Sequence, residues 1–162
     1  MQSLSIVLKI KPLSINGYYR NSKSGHRIKT GAGLAYDEEL ALLLRPYAEA
    51  MRSFKDSLPA ADVLSVDYTF FNPSYFIKDG SRLNQTSGDV DNPVKVLQDK
   101  IFRAMGVDDH RIKSFTVEEI PSTDCPGVVV DIYRDTPHTA VNFMELLTSL
   151  GKIVAVKEAC VD

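Results

Sequence analysis

One short helix with two clear ends is the strongest structural signal in this sequence. Asn92 suits the N-cap, and Pro93 suits the first helical position. Gly106 follows the pattern at the position where a left-handed residue commonly ends a helix. Between these ends, apolar residues recur with helical spacing: Val94, Leu97, Ile101 and Met105. The segment therefore predicts an amphipathic helix that ends at about Met105.

Strand patterns lie on both sides of this helix. Over residues 4–10, apolar residues alternate with polar or smaller ones, and this period of two is typical of a half-buried strand. A second helix is predicted over residues 34–51, and Pro46 is expected to bend or divide it. The order β-α-β-α-β-β predicts a single-domain α+β fold around a mixed or antiparallel sheet. Four segments are predicted as strands: 4–10, 63–71, 114–120 and 127–133.

The connections between these elements include turns and one long loop. The pairs Asn16-Gly17 and Ser24-Gly25 predict turns. Residues 72–90 are rich in Asn, Pro, Ser and Gly and predict a long loop, which a compact domain rarely keeps without a function. Residues 139–150 predict an amphipathic helix, followed by a further strand or docking arm. We therefore expect a core over residues 1–134 and a C-terminal helix and strand extension over residues 135–162 that packs on it.

Composition narrows the class of protein. The chain has 162 residues and an ordinary soluble balance, with 44% apolar and 25% charged residues. No run approaches the roughly 18 apolar residues of a membrane span, and the N-terminus lacks the features of a signal peptide. Cys125 and Cys160 form no CxxC pair. We therefore expect a reduced, cytoplasmic protein with no membrane segment and no zinc site.

Charge is distributed unevenly along the chain, although the net charge is only −2. The first 36 residues contain no Asp or Glu and carry a charge of +6, so the other 126 residues carry −8. This asymmetry indicates either an anionic partner for the basic segment or a solvated basic loop. The cations of the basic segment are Lys9, Lys11, Arg20, Lys23, Arg27 and Lys29.

Acidic residues cluster at both ends of the predicted helix. Asp89 and Asp91 precede it, where carboxylates favour the helix dipole, but Asp108 and Asp109 follow it, where they do not. Lys95 falls in the first turn, where a positive charge is slightly unfavourable. Two carboxylates at 4 Å repel by about 4 kcal/mol at an effective dielectric of 20, so a gathered group needs a compensating cation. Oxygen ligands indicate Mg²⁺ or Mn²⁺ and metal-dependent phosphodiester chemistry.

A purely structural interpretation of these residues stays open. Lys95 would then pair with Asp91 or Asp99 at four-residue spacing, and the two adjacent aspartates would form a solvated turn.

The acidic motif resembles that of the RusA family of Holliday junction resolvases. The family pattern is Asp-x-Asp-Asn-x-x-Lys, a short helix with a further Asp, and then Asp-Asp before an apolar strand. The similarity extends to an initial strand, a turn with Pro and Asn, "YYR", a basic loop and "AY" at the start of a helix, over residues 4–133 in unbroken order. The residues that match are Asp89, Asp91, Asn92, Lys95, Asp99, Asp108, Asp109, Ile112, Tyr18, Tyr19, Arg20, Ala35 and Tyr36.

The resemblance implies a homodimeric, Mg²⁺-dependent endonuclease that nicks two opposed strands of a four-way DNA junction, in recombination and repair. Mn²⁺ is expected to substitute for Mg²⁺. Enzymes of this kind are often carried by phages. The implied metal-binding catalytic acids are Asp89, Asp91 and Asp109, with Lys95 near the scissile phosphate. Asp99 is expected to be a structural partner of Lys95, and Asp108 to orient the loop.

The basic segment fits the same function. Arg20, Lys23, Arg27 and Lys29 are the candidate DNA-binding residues, and Tyr18, Tyr19 or His26 could pack on sugar or base. Two features depart from the family pattern. The stretch before Asp89 carries only Lys78 and Arg82 where relatives are rich in arginine, and the spacing to the two adjacent aspartates is one residue shorter.

Three other functions stay open at this point. A module that binds branched DNA with little or no cleavage would keep the basic segment. A small Mg²⁺-dependent phosphohydrolase acting on nucleotides would need neither that segment nor a dimer. In a structural protein the carboxylates would only cap a helix, and Mg²⁺ would not raise the melting temperature.

Overall fold

The computed structural model describes residues 3–72, 92–122 and 124–137. Its strands, in these ranges, are β1 (Ser3–Leu8), β2 (Tyr19–Asn21), β3 (Arg27–Lys29), β4 (Val63–Asn72), β5 (Ile112–Pro121) and β6 (Gly127–Asp135). Its helices are α1 (Ile15–Tyr18), α2 (Gly31–Leu44), α3 (Ala48–Asp56) and α4 (Asn92–Met105). The predicted single-domain α+β class and its order of main elements are confirmed.

The main sheet has the strand order β1-β6-β4-β5. β6 pairs antiparallel with β1 and with β4, whereas β4 pairs parallel with β5, so the sheet is mixed. Parallel neighbours need a crossover connection, and α4 lies in the connection between β4 and β5. The turn after α4 therefore returns to the end of the sheet where β4 begins.

A single apolar core fixes how α4 is rotated. Ile101 of α4 is fully buried, as are Ile6 and Ile132 on the inward face of the sheet. The other residues of the predicted α4 stripe, Val94, Leu97 and Met105, are buried as well. Because the stripe faces the core, the charged residues of α4 between those positions are left at the protein surface.

The second predicted helix is divided at Pro46. α2 ends at Leu44, a 3₁₀ turn follows over Arg45–Tyr47, and α3 begins at Ala48. Proline lacks the N–H that a continuous helix needs, so it sits in the first turn of a new segment. The prediction that Pro46 interrupts the helix is confirmed.

The basic N-terminal segment contains more regular secondary structure than predicted. Asn16-Gly17 was expected to form a turn, but both residues lie in α1, which Ser14 caps by accepting a hydrogen bond from the backbone N–H of Gly17 at 3.2 Å. β2 and β3 form an antiparallel hairpin that the sequence analysis did not predict. The predicted turn at Ser24-Gly25 connects these strands, and Gly25 has a φ of 81°.

α4 begins at Asn92, one residue before the predicted first helical residue, and ends before Gly106 as predicted. Gly106 has a φ of 66°, and its N–H donates to the carbonyl of Arg103 at 3.1 Å. The N–H of Val107 reaches back to the carbonyl of Phe102 at 3.1 Å, which completes a Schellman motif. This motif directs the chain from α4 towards Asp108 and Asp109.

Several predictions lie outside the described residues. They concern the loop from residue 73 onwards, Asp89, Asp91 and Cys160, and the helix and strand predicted after Pro137. The proposed packing of the C-terminal extension is therefore still a prediction. No helix in the described ranges is long and apolar enough to cross a membrane.

Candidate active site

A cleft of about 480 Å³ brings the basic segment and the acidic motif together. The N-terminal part of the chain contributes Tyr18, Tyr19 and Lys29 to its lining. α4 and the turn after it contribute other charged side chains: Lys95, Asp99, Lys100, Arg103, Asp108 and Asp109. Lys29 and Asp109, 80 positions apart in the sequence, thus line the same cleft. Its volume suits a small polar ligand or a segment of a polymer.

Lys95 stands between two carboxylates. Its Nζ lies 2.7 Å from Asp99 Oδ1, one helical turn away, and 3.6 Å from Asp109 Oδ2. The hydrogen bond that Lys95 donates to Asp99, and the charges of Asp99 and Asp109, raise the pKa of Lys95 above its usual range. The predicted pairing of Lys95 with Asp99 is therefore seen, and the lysine is held in its charged form beside Asp109.

A 3₁₀ turn over Asp109–Arg111 presents Asp109 to the cleft. Arg111 anchors this turn: its Nε donates to the carbonyl of Asp62 at 3.0 Å and its Nη2 donates to the carbonyl of Pro59 at 2.5 Å. Asp109 has 31% of its side chain exposed, compared with 69% for Asp108. The two adjacent aspartates thus differ in environment, and Asp109 is the one turned towards Lys95.

Asp108 acts as the cap of this turn. Its Oδ1 lies 2.9 Å from both the backbone nitrogen and Nδ1 of His110. The backbone N–H of His110, followed by its imidazole, lowers the pKa of Asp108. Asp108 therefore caps this turn, and its expected role in orienting the loop stays a prediction.

The donor set in this turn fits a divalent cation. Ligand atoms of Asp108, Asp109 and His110 all lie within 4.8 Å of one another. Carboxylate oxygens suit Mg²⁺ and Mn²⁺, and an imidazole is a common further ligand of transition metals. Asp109 belongs to the predicted metal-binding set, whereas His110 was not predicted. Asp89 and Asp91, the other two predicted ligands, lie outside the described residues.

Tyr68 of β4 is a buried tyrosine near the acidic residues. Its side chain is 1% exposed, and its hydroxyl donates to Gln98 Oε1 at 3.2 Å. Burial raises the pKa of Tyr68 above its usual range, and the negative charges of Asp109 and Asp99 raise it further. Tyr68 is therefore a buried, neutral phenol close to the charged residues of the site.

The four predicted DNA-binding residues have different environments. Arg20, Lys23 and Arg27 are exposed on the β2–β3 hairpin, and Arg27 lies 5.1 Å above the ring of Tyr19. Lys29 also lies on the hairpin and, of these four described residues, is the one that lines the cleft. Arg27 and Lys29 share one face of β3, but Lys29 pairs with Tyr19 at the end of the hairpin next to α1 and α2, whereas Arg27 pairs with Asn21 next to the turn.

Asp37, the first acidic residue of the chain, is the centre of a polar network. Its Oδ2 lies 2.7 Å from Lys29 Nζ and its Oδ1 lies 2.7 Å from Lys100 Nζ. The Tyr18 hydroxyl donates to both oxygens, at 2.7 and 2.8 Å. Burial alone would raise the pKa of Asp37, but the hydrogen bonds from Lys100, Lys29 and Tyr18 outweigh burial and hold the pKa at about 2.

Close packing between α1 and α2 positions this network. Thr30 caps α2 by accepting from the N–H of Gly33 at 2.9 Å, and its hydroxyl donates to the carbonyl of Gly17 at 2.6 Å. A Cβ on Gly33 would lie 2.6 Å from the carbonyl oxygen of Tyr18. The absence of a side chain at Gly33 therefore lets α2 approach the backbone that carries Tyr18.

Asp37 and Lys100 were not identified as site residues from the sequence. Asp37 follows the acid-free basic segment directly, which made it the nearest candidate counterion. Lys100 lies five residues after Lys95, about 140° further around α4. Neither signal indicates that the two residues meet, because their contact depends on how α2 packs beside α4.

A comparison with protein families agrees with this geometry. A family model described as endodeoxyribonuclease RusA matches residues 10–133, about three quarters of the 162 residues. A search of curated proteins found no match. The matched range includes the basic hairpin, α4 and the turn with Asp109, so the resemblance seen in the acidic motif is confirmed. The chain belongs to the RusA family of endodeoxyribonucleases.

Proposed function

We propose that this chain is a Mg²⁺-dependent endonuclease that resolves four-way DNA junctions by paired, symmetric nicks, in DNA recombination and repair. It acts as a homodimer in the cytoplasm, and Mn²⁺ substitutes for Mg²⁺. Asp89, Asp91 and Asp109 hold the metal, and Lys95 contacts the scissile phosphate. Arg20, Lys23, Arg27 and Lys29 bind the DNA backbone.

The contact between Lys95 and Asp109 carries this proposal. Lys95 lies 3.6 Å from Asp109, whose side chain is 31% exposed, in a cleft that the basic hairpin also lines. The pair thus provides both charges that phosphodiester cleavage needs. Positive charge stabilises the phosphate oxygens in the transition state, and carboxylates bind the metal. A helix-capping role alone would not require these groups to face the same cleft as Lys29.

Lys95 supplies a fixed positive charge. Its ammonium donates a hydrogen bond to Asp99, which raises the pKa of Lys95 further above neutral pH and restricts the position of the ammonium on α4. An ammonium placed in advance costs little reorganisation when negative charge develops on a phosphoryl oxygen. Asp99 is thus a positioning residue for Lys95 in the proposed reaction.

Asp109 is the described member of the metal-binding set. Its position on an anchored turn, 31% exposed and beside Asp108 and His110, leaves carboxylate oxygens available to a cation. A bound Mg²⁺ would supply positive charge to the phosphoryl oxygens and lower the pKa of a water molecule.

A two-fold symmetric dimer matches the symmetry of a four-way junction, since it presents two equivalent sites. Two basic N-terminal segments then carry twelve positive charges, which predicts strong and salt-sensitive binding to DNA. The acidic remainder of the chain, with a charge of −8 per subunit, opposes non-specific binding to duplex.

The experiment uses a labelled four-way junction, a fork and a linear duplex of matched sequence, each with Mg²⁺ or with EDTA. The wild-type protein is compared with Asp91→Asn and Asp109→Asn. Asp56→Asn is the control, because Asp56 is an exposed acid at the end of α3 outside the cleft. We expect paired nicks in the junction alone, lost without metal and lost in the two site variants but not in Asp56→Asn.

The alternatives give different results. Tight junction binding without nicks in Mg²⁺ or Mn²⁺ would identify a junction-binding protein with little or no cleavage. Hydrolysis of a free nucleotide that junction DNA does not inhibit would identify a nucleotide phosphohydrolase. Neither binding nor cutting would refute the proposed function.

A further inference from the structure

Two lysines in the cleft share one carboxylate. Lys29 and Lys100 approach different oxygens of Asp37, each at 2.7 Å. Two ammonium groups against one carboxylate leave one positive charge uncompensated within this group. Tyr18 adds hydrogen bonds to Asp37 but, as a neutral phenol, no charge. A purely structural ion pair needs a single cation, so the second lysine is not explained by the stability of Asp37.

The two lysines and Asp37 also differ in whether they face the cleft. Lys29 and Lys100 line the cleft, whereas Asp37 is not among the described residues that line it. Each ammonium has three donors, and the contact with Asp37 uses one of them. Both ammonium groups also lie over the ring of Tyr18, at 5.6 and 5.3 Å from its centroid. The lysines are therefore fixed from one side and keep donors for an anion on the other.

The acids in the same cleft do not neutralise this pair. Lys95 forms ion pairs with Asp99 and Asp109, and Asp108 contacts the imidazole of His110. The cleft is thus divided into an acidic part around Asp109 and a basic part around the two lysines.

We propose that Lys29 and Lys100, held in place by Asp37, form a second phosphate-binding subsite. Its ligand is a backbone phosphodiester of the DNA strand whose scissile phosphate lies at Lys95 and Asp109. Lys100 is thereby a DNA-contacting residue and Asp37 is a positioning residue. This inference rests on the proposed function, because it takes the cleft to be the path of a DNA strand.

Phosphate contacts set the position of a strand rather than its sequence preference. A second contact beside the scissile phosphate would fix which bond of the strand reaches the acids. The subsite also explains why the basic hairpin is tied to α4. Asp37 contacts both Lys29 and Lys100, so it links the hairpin to α4, the helix that carries Lys95.

The test measures junction affinity in EDTA, where no cutting takes place, at 50 and 200 mM KCl. Lys100→Gln removes the charge but keeps a side chain that can donate to Asp37. Lys100→Arg keeps the charge. Lys55→Gln is the matched control, since Lys55 is an exposed lysine of α3 that does not line this cleft. Lys29→Gln provides a second variant of the subsite.

The logarithm of the affinity falls as the logarithm of the salt concentration rises, and each phosphate contact makes this negative slope steeper by about 0.9. We therefore expect Lys100→Gln to make the slope shallower by about 0.9. The affinity advantage of the wild type should then shrink by about 3.5-fold between 50 and 200 mM. Lys29→Gln should do the same, and Lys100→Arg and Lys55→Gln should keep the wild-type slope. Urea unfolding of each variant verifies that the fold is intact.

Two outcomes overturn the inference. One is a Lys100→Gln protein whose slope and affinity match those of Lys55→Gln. The other is a Lys100→Arg protein that loses as much slope as Lys100→Gln. A failure of the proposed function is distinguishable from both, because it shows in the wild type itself, which would then bind the junction without nicking it or neither bind nor nick it.

Discussion

Two glycines in the first turn of α2 allow a matched test of how the cleft is built. A Cβ added at Gly33 would lie 2.6 Å from the carbonyl oxygen of Tyr18, whereas a Cβ at Gly31 would meet nothing within 4 Å. Both positions are in the same helix, and neither has a positive φ. The two Gly→Ala substitutions therefore differ in packing and little else.

Gly33→Ala should be clearly destabilising. The opposing atom is backbone, and the same carbonyl accepts a hydrogen bond from the N–H of Thr30 at 3.0 Å, so it cannot move alone. Overpacking of this kind costs about 1–3 kcal/mol of unfolding free energy. Gly31→Ala should be neutral or stabilising by about 0.4–1 kcal/mol, because alanine reduces the entropy of the unfolded chain. We expect the two variants to differ by about 1–4 kcal/mol.

Urea unfolding followed by circular dichroism measures this difference directly. Gly33→Ala should also weaken junction binding, since the displaced backbone carries Tyr18, which supports Asp37 and the two lysines. A Gly33→Ala protein as stable as Gly31→Ala would refute the close approach of α2 to Tyr18. It would also remove the argument for how the wall of the cleft is positioned.

Three further predictions follow from the site. In a thermal-shift assay, Mg²⁺ should raise the melting temperature of the wild type and of Asp56→Asn but not of Asp109→Asn. At a Mg²⁺ concentration 100 times its dissociation constant, binding stabilises the folded state by about 2.7 kcal/mol. Lys95→Gln should slow nicking in saturating Mg²⁺ by about 10²–10³-fold with little change in junction affinity, and an unchanged rate would contradict its role at the phosphate. The folded state holds the pKa of Asp37 at about 2, below its usual value, so its stabilisation is present above about pH 4 and is lost as the pH falls towards 2. The difference in unfolding free energy between wild type and Asp37→Asn should therefore shrink between pH 5 and pH 3, and a constant difference would refute this assignment.

Local patterns in the sequence were enough to locate the main elements. The alternation in β1, the stripe of α4, the interruption at Pro46 and the end at Gly106 each depend on residues a few positions apart. Such signals act through backbone geometry and burial of one face, which neighbouring residues decide. The α1 helix and the β2–β3 hairpin were missed because they are only four and three residues long.

The pairing of Lys95 with Asp99 could likewise be predicted, because residues four apart meet on any helix. The approach of Asp109 to Lys95 could be inferred only through the family motif. In the structure it depends on the Schellman motif at Gly106 and on the anchor from Arg111 to the carbonyl of Asp62.

The sequence by itself determined the main elements, the family and the acidic motif, since these are encoded by residue types at short spacings. Only the tertiary structure decided which charges meet across the cleft. Asp37 joins Lys29 and Lys100, although 63 positions separate it from Lys100, because the packing of α1, α2 and α4 in one core brings them together. A carboxylate on α2 gives no local sign of its partners, since charges interact through space and the fold sets the distances between them.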